Sequence, residues 1–387
     1  ITCRDWSSDV CSSDLQKTYY QRLLQQVMFL QISKDKQYSC IGLMSGTSLD
    51  GLDICLCTFD KKENGTWRYS IIKAVTLPYP KVIRELLESA PHLNGEQLTE
   101  LDYKYGHWLG KTTKEFIEET KGMPAFIASH GHTIFHNPKN GYTLQIGKGS
   151  AISAETGIPC ISDFRSSDVC RGGQGAPLVP IGDKLIFSEY DICLNLGGIA
   201  NLSFDNNKSE RIAYDVSPCN MLLNYLSNQT GKEYDFNGEI GKQGSICNEL
   251  LEKLNDLEYY KADFPKSLGR EWFELNVISL INTPDIKLED KLRTSYEHIA
   301  HQITNTTNKI KGENLLITGG GAKNMFLINL IKQKSNKEVI IPNSQTIDFK
   351  EALIFAFLGV LFIEQQQSAL STVTGARTNS ISGCFYY

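Results

Sequence analysis

Three stretches of the chain gather the groups that phosphate binding needs. The first, CIGLMSGTSLDGLD over residues 40–53, sets three hydroxyls and two carboxylates, Asp50 and Asp53, in a Gly-rich loop between two apolar runs. A plain hairpin would need only a two-residue turn. Successive main-chain N–H groups hold phosphate oxygens well, and glycine lets them approach without a Cβ clash. Asp50 or Asp53 can then hold a magnesium ion through water. The other two stretches, LNLGGIANLS with Gly197 and Gly198, and ITGGGAKN with Gly319, Gly320 and Gly321, offer further close backbone approach. One such loop is an ordinary turn more often than a ligand site; three at strand ends point to phosphate.

A carboxylate follows in the SDFRSSDV stretch. Asp163 stands at the end of a short apolar strand, where α/β folds place their ligands. It is a candidate general base if Arg165 keeps it ionised and oriented; the alternative is a cap for the next segment, paired with Arg165. The irregular polar loop Arg171–Pro177, with Gln174, comes directly after. Asp215 also ends a strand, either as a ligand to metal-bound water or as a cap of the helix at Asn220.

His130, Gly131 and His132, with His136 and Asp163, allow a zinc hydrolase, but a clear fourth ligand is missing. Histidines that donate to sugar hydroxyls fit the same residues better. The stretch Tyr105–Thr112 resembles a phosphate-binding P-loop but has three residues between its glycines where four are required. Its spacing is helical, so any nucleotide is bound without a P-loop lysine.

The elements that must position these groups alternate between strand and helix, the α/β pattern. Residues 38–60 read strand, turn, strand, with Ile54, Leu56 and Thr58 opposite Cys55, Cys57 and Phe59. Residues 80–120 carry helical spacing. Residues 125–129 and 158–164 read as buried strands, and a mostly apolar helix is expected from Ala352 to about Gln365. The glycine units near residues 46 and 197 each open a half of the chain. Two related lobes follow, over 38–180 and 181–387.

The 387 residues, 41% hydrophobic and 21% charged, suit a soluble two-lobed protein. No run is long enough for a membrane span, and a net charge of −5 argues against a nucleic-acid surface. Residues 1–15 read as translated library-adapter sequence, and 16–37 as an extension of uncertain origin. Without Cys3 and Cys11, nine scattered cysteines remain, with no CxxC pair. They read as reduced, mostly buried thiols of a cytoplasmic protein.

GLMSGTSLDGLD, SHGHTIFHNP, TLQIG, SDFRSSDV, GGQGAPLVP, LNLGGIANLS and ITGGGAKN occur in this order. Together they resemble the anhydro-N-acetylmuramic acid kinases of the sugar kinase, actin and Hsp70 superfamily, over residues 38 to 380. The resemblance implies a two-lobed actin-like ATPase fold, with ribonuclease H-like lobes, mixed sheets flanked by helices, and a nucleotide cleft between them. It implies ATP and magnesium as cofactors, and an amino sugar recycled from the cell wall as substrate. Gly46, Thr47, Ser48, Leu49, Asp50, Gly51, Leu52 and Asp53 would form the ATP phosphate loop. Gly197 and Gly198 would form a second phosphate segment, and Gly319, Gly320, Gly321 and Asn324 the nucleotide side. Asp163 would be the catalytic base. His130, His132, Arg165, Gln174 and Asp215 would face the substrate, and Asp50 and Asp215 a water-held metal. Arg165 and Lys148 are the two candidates for the sugar's lactyl carboxylate. The oligomeric state stays open, a homodimer among its candidates.

Two departures stand out. Where the family commonly has YDTGPGN, this chain reads YDVSPCN over Tyr214–Asn220, losing a hydroxyl and two glycines. His132 stands where Gln is frequent, and both donate to a hydroxyl. Two rivals share the cleft: an ordinary sugar kinase, in which Asp163 deprotonates an acceptor hydroxyl, and a nucleotide-driven binding protein.

Overall fold

The computed structural model describes residues 37–46, 49–63, 65–120 and 122–387. The adapter-like segment, most of the extension, and Thr47 and Ser48 of the phosphate loop lie outside them. In chain order the strands are β1 (Gln37–Ser45), β2 (Leu52–Lys61), β3 (Trp67–Leu77), β4 (Phe126–Ser129), β5 (His132–Asn137), β6 (Tyr142–Ile146) and β7 (Cys160–Ser162). Then come β8 (Ile192–Leu196), β9 (Ile199–Asp205), β10 (Arg211–Pro218), β11 (Asn314–Thr318), β12 (Glu338–Ile340) and β13 (Cys384–Tyr386).

Two sheets share one topology. The first runs β13-β7-β4-β1-β2-β3 and the second β10-β9-β8-β11-β12. In each, the opening three strands form an antiparallel meander, and two later strands add in parallel beside the first of them. A parallel addition needs a crossover, which helices supply. The same strand order in both sheets is what a duplicated ribonuclease H-like lobe requires, so the expected two-lobed α/β architecture is present. Strands β5 and β6 form a separate ribbon.

The period-2 alternation in β2 has a direct cause. Ile54 and Leu56 pack with Leu101, Tyr105 and Phe116 of the helix Gly95–Thr120. Cys55, Cys57 and Phe59 pack against the helix Ser344–Ile363 on the other face. Both faces of the sheet are covered, hence the near-continuous apolar run. Phe59 and Trp67 each meet Phe357 with ring centroids 5.2 and 5.4 Å apart; each large side chain so buried contributes about 1.5–3 kcal/mol. Gly42 lets that helix close on β1, since a Cβ there would sit 1.9 Å from the Ala352 carbonyl oxygen.

Some expectations are corrected here and others are met. The apolar helix begins at Ser344, not Ala352, because Asn343 caps it by accepting from the Thr346 N–H at 2.8 Å. The stretch 80–120 is two helices, Lys81–Ser89 and Gly95–Thr120, divided around Pro91. The strand expected over 158–164 is confined to Cys160–Ser162, leaving Asp163 just beyond its end. The chain also returns to the first sheet after residue 343: the Ser344–Ile363 helix packs there and β13 pairs with β7. The P-loop-like stretch at 105–112 lies inside a helix. All nine cysteines among the described residues are free, six of them buried.

Candidate active site

Asp163 follows β7 in a left-handed conformation, φ +61°. Its Oδ1 accepts the Ser166 N–H at 3.3 Å, which fixes the carboxylate while starting the next helical turn. Left-handed backbone is costly for most residues and tolerated by Asp and Asn, so the local strain serves to aim a carboxylate. It aims into a cavity of ≈ 180 Å³ walled by Asp102, His130, Gln145, Lys148, Ser166 and Tyr386, among others.

Arg165 does not itself line that cavity but bonds to His130, which does. Its Nε donates to His130 Nε2 at 3.0 Å, and a terminal nitrogen donates to the Gly175 carbonyl at 2.7 Å. His130 in turn donates from Nδ1 to the Gly131 carbonyl at 2.8 Å. Both ring nitrogens are committed, so His130 is neutral and has no lone pair for zinc. Burial, with the Arg165 charge beside it, pulls its pKa down to about 3. The Arg171–Pro177 loop is pinned from below by Asp168, which accepts the Gly175 N–H and the Thr374 hydroxyl, each at 2.7 Å.

His132 is buried and does not line the cavity. Tyr79 donates its hydroxyl to Ser45 Oγ at 2.6 Å, Ser45 Oγ shares a hydrogen bond with His132 Nδ1 at 2.8 Å, and Tyr105 donates to Tyr79 at 3.0 Å. Burial lowers the His132 pKa to about 4. Gln174 is exposed. Asp215 does not end its strand as expected: β10 runs on to Pro218 and pairs Asp215 with Asn201 of β9, while its Oδ2 accepts the Leu268 N–H at 2.8 Å and its carbonyl accepts the Tyr259 hydroxyl at 2.7 Å. His132, Gln174 and Asp215 line neither of the two cavities described here.

The first glycine loop joins β1 to β2. Leu49 is left-handed, φ +58°, and bonds back to the Gly46 carbonyl. Gly51 packs so tightly that a Cβ would lie 2.6 Å from the Leu77 carbonyl oxygen. Leu52 is a core residue, so only its backbone faces the loop. Asp50 is exposed; Asp53 accepts from the Thr76 hydroxyl at 2.6 Å. Burial pushes the Asp53 pKa up, and the charges of Asp348 and Asp50 add to that.

At the second glycine pair, the Gly197 and Gly198 carbonyls accept N–H groups of Cys219, Asn220 and Met221. This turn therefore seats the start of the helix Asn220–Ser227 despite the altered YDVSPCN sequence. Gly319, with φ +82° and ψ 168°, can only be glycine: a Cβ would sit 2.4 Å from Asn195 Oδ1. Gly320, Gly321 and Asn324 line a second cavity of ≈ 320 Å³, beside Asn220, Tyr234 and Phe236. Asn324 caps the helix Met325–Lys334 through Oδ1 and donates to the Tyr296 hydroxyl through Nδ2.

Sequence reasoning missed the start of the Ser344–Ile363 helix. Asp348 pairs with Lys323 beside the larger cavity. Glu351 is exposed to solvent, with the charges of Arg165 and Asp53 acting on it. Crowding raises its pKa, Asp53 adds to this, and Arg165 opposes it. The missed signal was a charged pair, Lys350 and Glu351, just before a long apolar run. Among the described residues, no group of three or more His, Cys, Asp or Glu is close enough to hold a metal directly.

A sequence model of the anhydro-N-acetylmuramic acid kinase family matches residues 38–387. Curated anhydro-N-acetylmuramic acid kinases are similar along their length. That of Actinobacillus pleuropneumoniae serotype 7 is 34% identical over 367 residues, covering 89% of this chain and 98% of the relative. Those of Vibrio vulnificus (strain YJ016) and Sulfurovum sp. (strain NBC37-1) are 33% and 34% identical, each also over 89% of this chain, covering 97% and 98% of the relative. Among solved structures, an activator of 2-hydroxyisocaproyl-CoA dehydratase from Clostridium difficile aligns with 84% of this chain and 96% of its own, at TM-score 0.40 and 14% identity.

Proposed function

The chain belongs to the anhydro-N-acetylmuramic acid kinase family, and from that premise we propose that it opens 1,6-anhydro-N-acetylmuramate with water and phosphorylates O6 with ATP. The products are N-acetylmuramate 6-phosphate and ADP, a step in the reuse of cell-wall amino sugars. The observation that carries this reading is Asp163: a strained, amide-anchored carboxylate on the wall of a sugar-sized polar cavity.

The substrate has no free 6-hydroxyl, because O6 bridges to C1. Asp163 takes a proton from a water that attacks C1, and the C1–O6 bond breaks. O6 then forms its bond to the γ-phosphorus of ATP as the bond to the β-bridging oxygen breaks. The phosphoryl group captures the leaving oxygen, so one carboxylate suffices where an inverting glycosidase needs a second as acid. The remaining contribution is positioning and charge neutralisation.

Gly46–Asp53 and the Gly197–Gly198 turn would receive the phosphates, and the cavity at Gly320, Gly321 and Asn324 the nucleoside. Magnesium would supply neutralisation of the phosphates. The residues fit it held through water: Asp53 is desolvated among the like charges of Asp50 and Asp348, which a dication would relieve. Asp215, inside β10 and bound to the Leu268 amide, could serve it only at longer range.

Incubation with ATP, magnesium and the anhydro sugar in ¹⁸O-water tests the whole sequence of events. We expect one label, on the C1 hydroxyl of the 6-phosphate product. Phosphorylation of N-acetylmuramate itself, with the anhydro form untouched, would return the ordinary sugar kinase.

A further inference from the structure

We infer that Lys148 is the receptor for the lactyl carboxylate, and so the residue that separates this sugar from anhydro sugars without a lactyl group. The inference rests on the substrate proposed above, whose only charge is that carboxylate. Lys148 is the one Lys or Arg among the described residues lining the Asp163 cavity. The same wall carries two carboxyls, Asp102 and Asp163, so an arriving anion meets repulsion unless a cation answers it.

The side chain is placed but not used up. Its Nζ lies 3.8 Å from Asp102 Oδ2, a loose pairing, and 5.6 Å from the centre of the Tyr103 ring. Asp102 spends its other oxygen on the Gly147 N–H at 2.7 Å. The Lys148 backbone is fixed on both sides: its N–H donates to the Asp102 carbonyl, and its carbonyl accepts from Ala151 and Ile152 at the head of the helix Gly149–Thr156. A lysine ammonium has three donors, so at least one is free to face the cavity. The first N–H groups of the helix add positive potential on the same side. Arg165, the other candidate, has its Nε and one terminal nitrogen bound within the protein and does not line the cavity.

The test is the affinity, by calorimetry without ATP, for 1,6-anhydro-N-acetylmuramate and for 1,6-anhydro-N-acetylglucosamine, which lacks only the lactyl group. Lys148→Met should weaken binding of the lactyl sugar about 10- to 100-fold, the worth of one charge-assisted hydrogen bond, and bring the ratio of the two affinities close to one. Lys148→Arg should keep the wild-type preference, which shows that the loop still folds. An unchanged ratio in Lys148→Met overturns the inference, as does a preference that disappears instead in Arg165→Met. Because the ratio is read from binding alone, a wild-type protein that binds the sugar without phosphorylating it would sink the proposed reaction and leave this measurement intact.

Discussion

Arg165 Nε donates to His130 Nε2 at 3.0 Å, and the Nδ1–H of the same ring is already given to the Gly131 carbonyl. The pair therefore carries one positive charge, on arginine, two residues beyond Asp163. Protonating the ring would break the Arg165 bond and set two cations together. The pH profile of kcat/KM should thus show no histidine ionisation near 6.5 from His130. Its ring Cε1–H resonance should stay at the neutral position from pH 8 down to pH 5. A midpoint near 6 in that titration would refute the assignment.

Asp163→Asn should lower kcat by about 10²–10⁴-fold, the usual contribution of a general base, with ATP affinity changed little. Asn is the informative replacement, since it tolerates the left-handed backbone at φ +61°. Asp163→Ala adds about 1–2 kcal/mol of backbone cost to the chemical defect, visible as a lower Tm. Near-normal turnover in Asp163→Asn would remove the residue from the proposed reaction. Retained partner binding alongside lost turnover would not distinguish a kinase from a clamp, so kcat is the quantity to read.

The parts legible in the sequence were those that local chemistry determines. The β2 alternation identified two buried faces, and the glycine loops marked strand ends, because a one-dimensional pattern records both. The return of the chain to the first sheet was not legible. Ser344–Ile363 reads as a buried helix wherever it lies, and three-residue β13 carries no pattern of its own. The roles of polar residues were hidden for the same reason. His130 and His132 are the same residue type two positions apart, yet His132 bonds to Ser45 inside the core and His130 to Arg165 at the cavity. Asp215 looked like Asp163, a carboxylate ending a strand; in the fold β10 continues past it to Pro218, and the Leu268 amide, far along the chain, holds its carboxylate.

Gly319→Ala should weaken nucleotide binding more than sugar binding. The new methyl group would press on Asn195 Oδ1 and the Leu196 backbone, and the backbone region at φ +82° excludes it. Relieving that clash moves Gly320 and Gly321, which line the larger cavity. KM for ATP should rise at least tenfold with KM for the sugar within about twofold, while stability falls by about 1–3 kcal/mol. Equal shifts in both KM values would mean that the turn does not serve the nucleotide.

Acidification should destabilise the fold before it reaches ordinary carboxylate values. His130 and His298 are pulled down to about 3 by burial, His298 with its Nδ1 bonded to Asn255 and its Nε2 accepting from Tyr260. A histidine lowered on folding binds its proton in the unfolded chain first, so stability is full above pH 6.5 and is lost as pH falls towards 3. At pH 5 each costs about 2 kcal/mol. Asp53, Asp102 and Asp215, all raised by burial, act in the opposite sense and reduce the net loss. Urea unfolding at pH 7 and pH 5 should show the drop, and His298→Gln should shrink it; equal pH dependence in the variant would acquit His298.

Lys350→Met should be among the most damaging single changes in the molecule. Lys350, in the helix that packs on the first sheet, pairs at 2.7 Å with Asp183, whose other oxygen accepts from Ser203 of β9 in the second sheet. Burial alone would lower the Lys350 pKa, but the Asp183 charge outweighs it and the ammonium is held above its ordinary value. Removing the lysine leaves a carboxylate buried without its partner, at a cost of about 3–5 kcal/mol. The double variant Lys350→Met with Asp183→Leu should recover most of that, because neither charge then remains unpaired. If urea midpoints show the double variant as unstable as the single, the pair contributes through the specific geometry it imposes between the two sheets rather than through the unpaired charge.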